Sequence, residues 1–257
     1  MKKIYTLTFI LLTSLSFGQA PPIGLIGVNT PYSEDFTGLG PSDTAFIPGW
    51  TAINTIDSST LTMSVSDGSS ATGNAYNVGA TGSEDRAFGI LADATTIPAL
   101  VAVFQNNTGS TVSKITIQAR MEQWRASGNN GVNEKVAFSY SLDATNPNNG
   151  TWTPVTALDL NEKLTSSTTA VAVNGNLSAN YSNLASIISG LNWPNGTTLW
   201  IKWVDTNDAG ANGLFAIENF YLSVGEVLGI KQNAISGLNM YPNPVKDGNL
   251  FITSNSD

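Results

Sequence analysis

From Tyr32 onward the chain runs as short apolar or alternating stretches broken by turn residues. Alternation is clearest in Lys114-Ile115-Thr116-Ile117-Gln118-Ala119 and in Val136-Ala137-Phe138-Ser139-Tyr140. A strand sends successive side chains to opposite faces, so this pattern suits a sheet with one buried and one wet face. Candidate strands are Leu61–Ser66, Arg86–Leu91, Leu100–Gln105, Ser113–Met121, Lys135–Ser141, Thr198–Val204 and Leu214–Val224. Between them lie turn signals: Asp67-Gly68, Asn107-Thr108-Gly109, Gly128-Asn129-Asn130-Gly131, Pro147-Asn148-Asn149-Gly150 and Pro194-Asn195-Gly196. A weak helical period over Tyr181–Ile188 predicts a turn or two of helix. Many antiparallel strands without helices bury their faces against a second sheet. The pattern predicts an all-β fold, a two-sheet antiparallel jelly-roll sandwich over residues 28–225.

Both ends depart from this pattern. Lys2 and Lys3 precede a mostly apolar run from Ile4 to Leu15, and Ser16-Phe17-Gly18 places small residues before Gln19. Residues 1–18 therefore read as a signal peptide, cleaved between Gly18 and Gln19. The run is too short for a membrane-spanning helix, which needs about 20 residues. Residues 19–27, with Ala20-Pro21-Pro22, read as a spacer, and 226–237 as a linker. In the last segment, 238–257, Pro242 and Pro244 force an extended entry before a strand at Asn249–Thr253.

Composition narrows the chemistry. Charged residues are only 12%, about half the usual ~25%, and Gly, Asn, Ser and Thr fill the difference. With 41% hydrophobic residues, including 6 Trp, 7 Tyr and 10 Phe, a sizeable core is available. There are 19 acids against 11 bases, two of them in the leader, and the rest are scattered. Phosphate backbones need clustered positive charge, so nucleic acid is not an expected partner. The absence of Cys and His excludes disulfides, thiol nucleophiles, Ser-His-Asp triads and His-ligated zinc.

Carboxylates and aromatics remain. Paired acids can hydrolyse glycosides without His or Cys, but no Glu-x-Asp-x-x-Glu strand motif occurs here. The close pairs Glu84-Asp85 and Asp205/Asp208 sit beside turn signals, which favours a non-enzyme. The oxygen-rich stretch from Asp205 to Gly213 lacks the closing Glu of an EF-hand and reads as a polar hairpin loop. Trp200 and Trp203 stand three apart in a strand and so face opposite ways: one fills the core, and the other is left to stack on a sugar. Arg125, near Glu122 and Glu134 in sequence, reads as a structural ion-pair residue rather than a ligand clamp.

Two resemblances add to this. Leu238-Asn239-Met240-Tyr241-Pro242-Asn243-Pro244-Val245-Lys246-Asp247-Gly248, with the following Leu250, resembles the opening of the C-terminal sorting domain of the type IX secretion system of Bacteroidota. Its motif maps onto Tyr241, Pro242, Asn243, Pro244 and Gly248. That family's domain runs several dozen residues further, so the segment ending at Asp257 is expected to be a truncated signal. Ser33-Glu34-Asp35-Phe36 with Ile47-Pro48-Gly49-Trp50, and Ala216-Ile217-Glu218-Asn219-Phe220-Tyr221-Leu222, resemble the first and closing strands of MAM-like, cleaved-adhesin and choice-of-anchor jelly rolls. In those domains the two strands lie together and their acids hold calcium. The resemblance implies calcium at Glu34, Asp35, Glu218 and Asn219, although the last two replace the family's paired Asp. The implied protein is secreted or displayed at the cell surface, exported through the periplasm by the type IX machinery. The expected role is a non-catalytic binding module, adhesin-like or carbohydrate-binding, with a glycan or surface polymer as partner. The alternatives are a structural spacer without a ligand and, third, a carboxylate-dependent glycoside hydrolase.

Overall fold

The computed structural model describes residues 21–27, 30–225, 238–246 and 249–254. The first strands are β1 (Ile23–Leu25), β2 (Tyr32–Glu34), β3 (Trp50–Asn54), β4 (Met63–Ser66) and β5 (Asn74–Val78). They are followed by β6 (Ala87–Leu91), β7 (Pro98–Asn106), β8 (Val112–Ala126), β9 (Lys135–Ser141) and β10 (Thr153–Pro154). Then come β11 (Leu160–Asn161), β12 (Val171–Ala172), β13 (Tyr181–Trp193), β14 (Thr198–Val204) and β15 (Leu214–Val224).

They form the expected two-sheet jelly-roll sandwich. In the smaller sheet β14 joins β7 to β9, and β1 and β3 share the other edge of β7. In the larger sheet β15 lies between β8 on one side and β6 and β2 on the other, and β5 and β4 continue beyond β6. Pairing is antiparallel except for β1 with β7 and β4 with β5. The segment read as a spacer thus contributes a paired strand, Ile23–Leu25.

The inner faces meet in a core rich in rings. Phe220 of the larger sheet packs edge-on against Trp50 and Trp203 of the smaller one and stacks on Phe104. Both outer faces are partly roofed. On the larger sheet Tyr76, Val78, Leu91, Trp124 and Leu214 form a second cluster, and on the smaller sheet Ile53, Val101, Val103, Ala144 and Trp200 form a third. This two-sided burial explains why β6 and β7 read as nearly continuous apolar runs.

The helical turn expected near residues 181–188 is instead the long edge strand β13, paired with β8 from Tyr181↔Glu122 to Ser189↔Lys114. Leu184, Ile187, Ile188 and Leu191 stand at helical spacing by chance. Pairing with β8 supplies the backbone partners that a single helical turn leaves unmet. Leu184, Ile188 and Leu191 pack on the core, whereas Ile187 remains 64% exposed.

Leu238–Lys246 and Asn249–Ser254 belong to a second compact unit. In it they pair as an antiparallel hairpin. Tyr241, Pro242, Asn243 and Pro244 fall on its first strand. The residues read as a signal peptide, with Gly18 and Gln19, those read as a linker, 226–237, and Gly248 lie outside the described residues. Among the described residues no helix is long and apolar enough to cross a membrane.

Candidate functional site: a cleft at the loop end of the larger sheet

The residues expected to hold calcium are drawn from adjacent strands, since β2 pairs with β15. Their side chains nevertheless go to different places. Glu34 lies opposite Phe220 and accepts hydrogen bonds from the Tyr32 hydroxyl (3.2 Å) and the Phe36 N–H (2.9 Å). Tyr32 in turn accepts from Trp50 Nε1, and burial pushes its phenol well above the usual range. Asp35 accepts from the N–H and hydroxyl of Thr37. Glu218 pairs across to Arg120, beside Glu122 and Trp124, on the opposite face of the sheet. The four are not brought together: register sets the strands side by side, but the bulge between Glu218 and Tyr221 turns Glu218 to the face opposite Glu34. Among the described residues no group of three or more acidic side chains is arranged to hold a metal ion.

The tryptophan expectation is also corrected. Trp200 and Trp203 do face opposite ways, but both are buried, at 4% and 0% exposure. Trp203 fills the inter-sheet core against Phe138 and donates from Nε1 to the Leu158 carbonyl at 2.9 Å. Trp200 lies in the outer cluster with Ala144, and Trp152 packs against it. The Trp152 ring is itself covered by Lys202, whose Nζ stands 3.8 Å from the ring centroid.

Glu218 and Asn219 belong to a polar cluster on the outer face of the larger sheet. A register shift between Glu218 and Tyr221 puts Asn219 at φ 49°. The bulge turns Glu218 onto Arg120 Nη1 at 2.8 Å, while the guanidinium lies 4.6 Å from the Tyr181 ring centroid. Glu122 accepts from Trp124 Nε1 at 2.8 Å. Burial raises both carboxyls, and the Glu122 charge facing Glu218 lifts that group further, to about 8.

A different constellation opens at the end of this sheet. A second register shift, between Leu214 and Phe215, lies opposite Trp124 and next to Arg125. Arg125 lines a cleft of about 410 Å³ whose walls are Ala71, the 92–94 turn and the 207–212 loop. Within it, polar groups lack partners. Arg125 Nε is buried without a hydrogen bond, and Nη1 reaches only the Ser69 carbonyl at 3.5 Å. No ion pair involves Arg125 among the described residues, which overturns its reading as an ion-pair residue: the cation beside Glu122 is Arg120. Asp93 is fully used, accepting from Gly73, Thr95 and Thr96, and stays ionised. The Asp208 carboxylate accepts no hydrogen bond from the described residues. Its backbone is fixed by Asn212, which also donates to Asn207.

Beneath the loop lie buried acids. Asp205 accepts from the N–H groups of Ala92 and Thr206, and burial raises its carboxyl well above the normal value. Glu134, 2% exposed, accepts from Gly213 N–H at 2.6 Å. Burial, with Glu162 and Asp208 facing it, lifts its pKa to about 7. These two acids pin both ends of the 205–213 loop. The sequence of that loop reads as a polar hairpin, and nothing in the sequence places Arg125, Asp93 and the loop together.

No protein-family model matches the chain, and no curated protein matches it. Solved structures similar to it include the K3 cleaved adhesin domain of Lys-gingipain from Porphyromonas gingivalis. That domain is 13% identical, with TM-score 0.42, over 75% of this chain and 98% of that one. Another is the CBM22-1 xylan-binding domain from Paenibacillus barcinonensis, 13% identical with TM-score 0.36, over 80% of this chain and 97% of that one. The xylan-binding module CBM15 is 12% identical with TM-score 0.38, over 77% and 98%.

Proposed function

We propose that the protein is an exported, non-catalytic β-sandwich binding module whose end-loop cleft takes a glycan. The observation that supports this is the cleft itself: about 410 Å³, lined by Asp208, by alanines and by Arg125, whose Nη1 makes only a 3.5 Å contact to the Ser69 carbonyl. Small-molecule sites span ~300–1,000 Å³ and fix their ligand with a few placed polar groups. A non-catalytic role fits the best-placed carboxyl pair. Glycosidase carboxyls stand roughly 5–9.5 Å apart with the sugar between them, whereas Glu122 and Glu218 are buried against the same Arg120 guanidinium. Export rests on the leader ending at Gly18, and routing through the type IX machinery to the surface or medium rests on the Tyr241-Pro242-Asn243-Pro244 motif.

The test is affinity electrophoresis of the purified protein in gels containing soluble polysaccharides. At least one polysaccharide should retard the wild type, and Arg125→Ala should run freely. A protein retarded by none of a broad panel is not a glycan-binding module. For routing, a strain lacking the type IX translocon should hold the protein in its periplasm; release into the medium there would refute that assignment.

A further inference from the structure

The chemistry of the cleft goes further than its size. Two polar side chains of its lining have opposite needs: the Arg125 guanidinium, whose Nη1 makes only a 3.5 Å contact to the Ser69 carbonyl, has N–H bonds to give, and the Asp208 carboxylate has only lone pairs to offer. They line the same cleft and are not an ion pair with each other, so a group bound there can meet both. A hydroxyl both donates and accepts, and two neighbouring hydroxyls can satisfy both sides at once. Resting on the glycan reading above, we infer that the cleft selects a neutral sugar by gripping a vicinal diol between Arg125 and Asp208.

Charge argues the same way. Asp93 and Asp208 line the cleft against the single cation Arg125. Asp93 is held ionised by its backbone and hydroxyl donors. A uronic acid would bring a third carboxylate into that space, where like charges repel strongly. Stacking cannot substitute for polar grip, because no aromatic side chain lines the cleft and Trp200 and Trp203 are buried. The alanines leave room for a ring, and the loop is held rigid by Asn212, by Glu134 beneath Gly213, and by Asn129, which donates to the Ala209 carbonyl. Affinity therefore depends on the polar pair.

The experiment uses the purified protein with soluble mannan, galactan, glucan and polygalacturonate in affinity gels. Each neutral polymer is run intact and after periodate cleavage with borohydride reduction, which destroys vicinal diols but keeps the chain uncharged. At least one intact neutral polymer should bind, its oxidised form and polygalacturonate should not, and Arg125→Gln and Asp208→Asn should each weaken binding at least tenfold. Unchanged thermal melting of both variants shows that the loss is local. Tight polygalacturonate binding, binding that survives periodate, or full affinity in Asp208→Asn overturns the diol inference while leaving a glycan-binding module. Retardation by none of the polymers overturns both.

Discussion

At the scale of single residues, Glu134 is the group whose protonation matters most to the loop. One oxygen holds Gly213, and the other is buried without a partner. Burial first, then Glu162 and Asp208, raises its pKa from 4.5 to about 7. The folded state therefore keeps a proton that the unfolded chain gives up, and proton binding favours folding. This contribution is complete below about pH 4.5 and is lost as pH climbs through about 7. Asp205, also raised by burial, acts in the same direction. Glu134→Gln keeps an acceptor for Gly213 and removes the titration. In denaturant unfolding at about pH 5 and about pH 8, the wild type should lose on the order of 2–3 kcal/mol more than the variant. Equal losses would mean that Glu134 does not titrate across this range.

At the scale of elements, β13 and β15 carry the informative features. A non-glycine residue at φ 49°, as Asn219 is, costs about 1–3 kcal/mol and is borne best by Asn. Asn219→Gly should be neutral or stabilise by up to about 1 kcal/mol, and Asn219→Val should destabilise by about 1–3 kcal/mol, both read by chemical denaturation. The edge strand β13 makes a sharper contrast. Ile187 points to solvent while Ile188 is 6% exposed, so Ile187→Lys should stay within about ±0.5 kcal/mol and Ile188→Lys should cost more than about 3 kcal/mol. In an amphipathic helix the two would share a face, and the substitutions would cost alike. Sequence pattern was misleading here because an edge strand needs only a few inward residues. It was reliable for Lys135–Ser141, Thr198–Val204 and Leu214–Val224, whose observed bounds match the expected ones. The strands Trp50–Asn54 and Asn74–Val78 escaped notice because they are short and buried on both faces, so they do not alternate. The site was less legible still. Glu218 and Asn219 are identifiable only by the strand they sit on, and their partners Arg120 and Glu122 are fixed by register. Arg125 and the loop are far apart in sequence and meet only through the pairing of β8 with β15.

At the scale of the whole molecule, the question is whether two sheets make one cooperative unit. Their contact is concentrated on rings around Phe220: Trp50 at 5.0 Å, Phe104 at 5.9 Å and Trp203 at 6.2 Å between centroids, all three from the smaller sheet. Trp203 is the member with most to lose, since it also packs on Phe138 at 4.8 Å and donates to the Leu158 carbonyl. Trp203→Ala removes this packing, leaves a cavity between the sheets and orphans a buried carbonyl, for a cost of about 3–5 kcal/mol. Because the rings belong to both sheets, that cost should appear as one lowered transition rather than as the loss of one sheet. Far-ultraviolet circular dichroism and tryptophan fluorescence, followed together through a urea gradient, should shift to a lower midpoint and remain superimposable. Two separated transitions in the variant would show that each sheet holds itself together through its own outer cluster, and that the Phe220 rings only dock one onto the other.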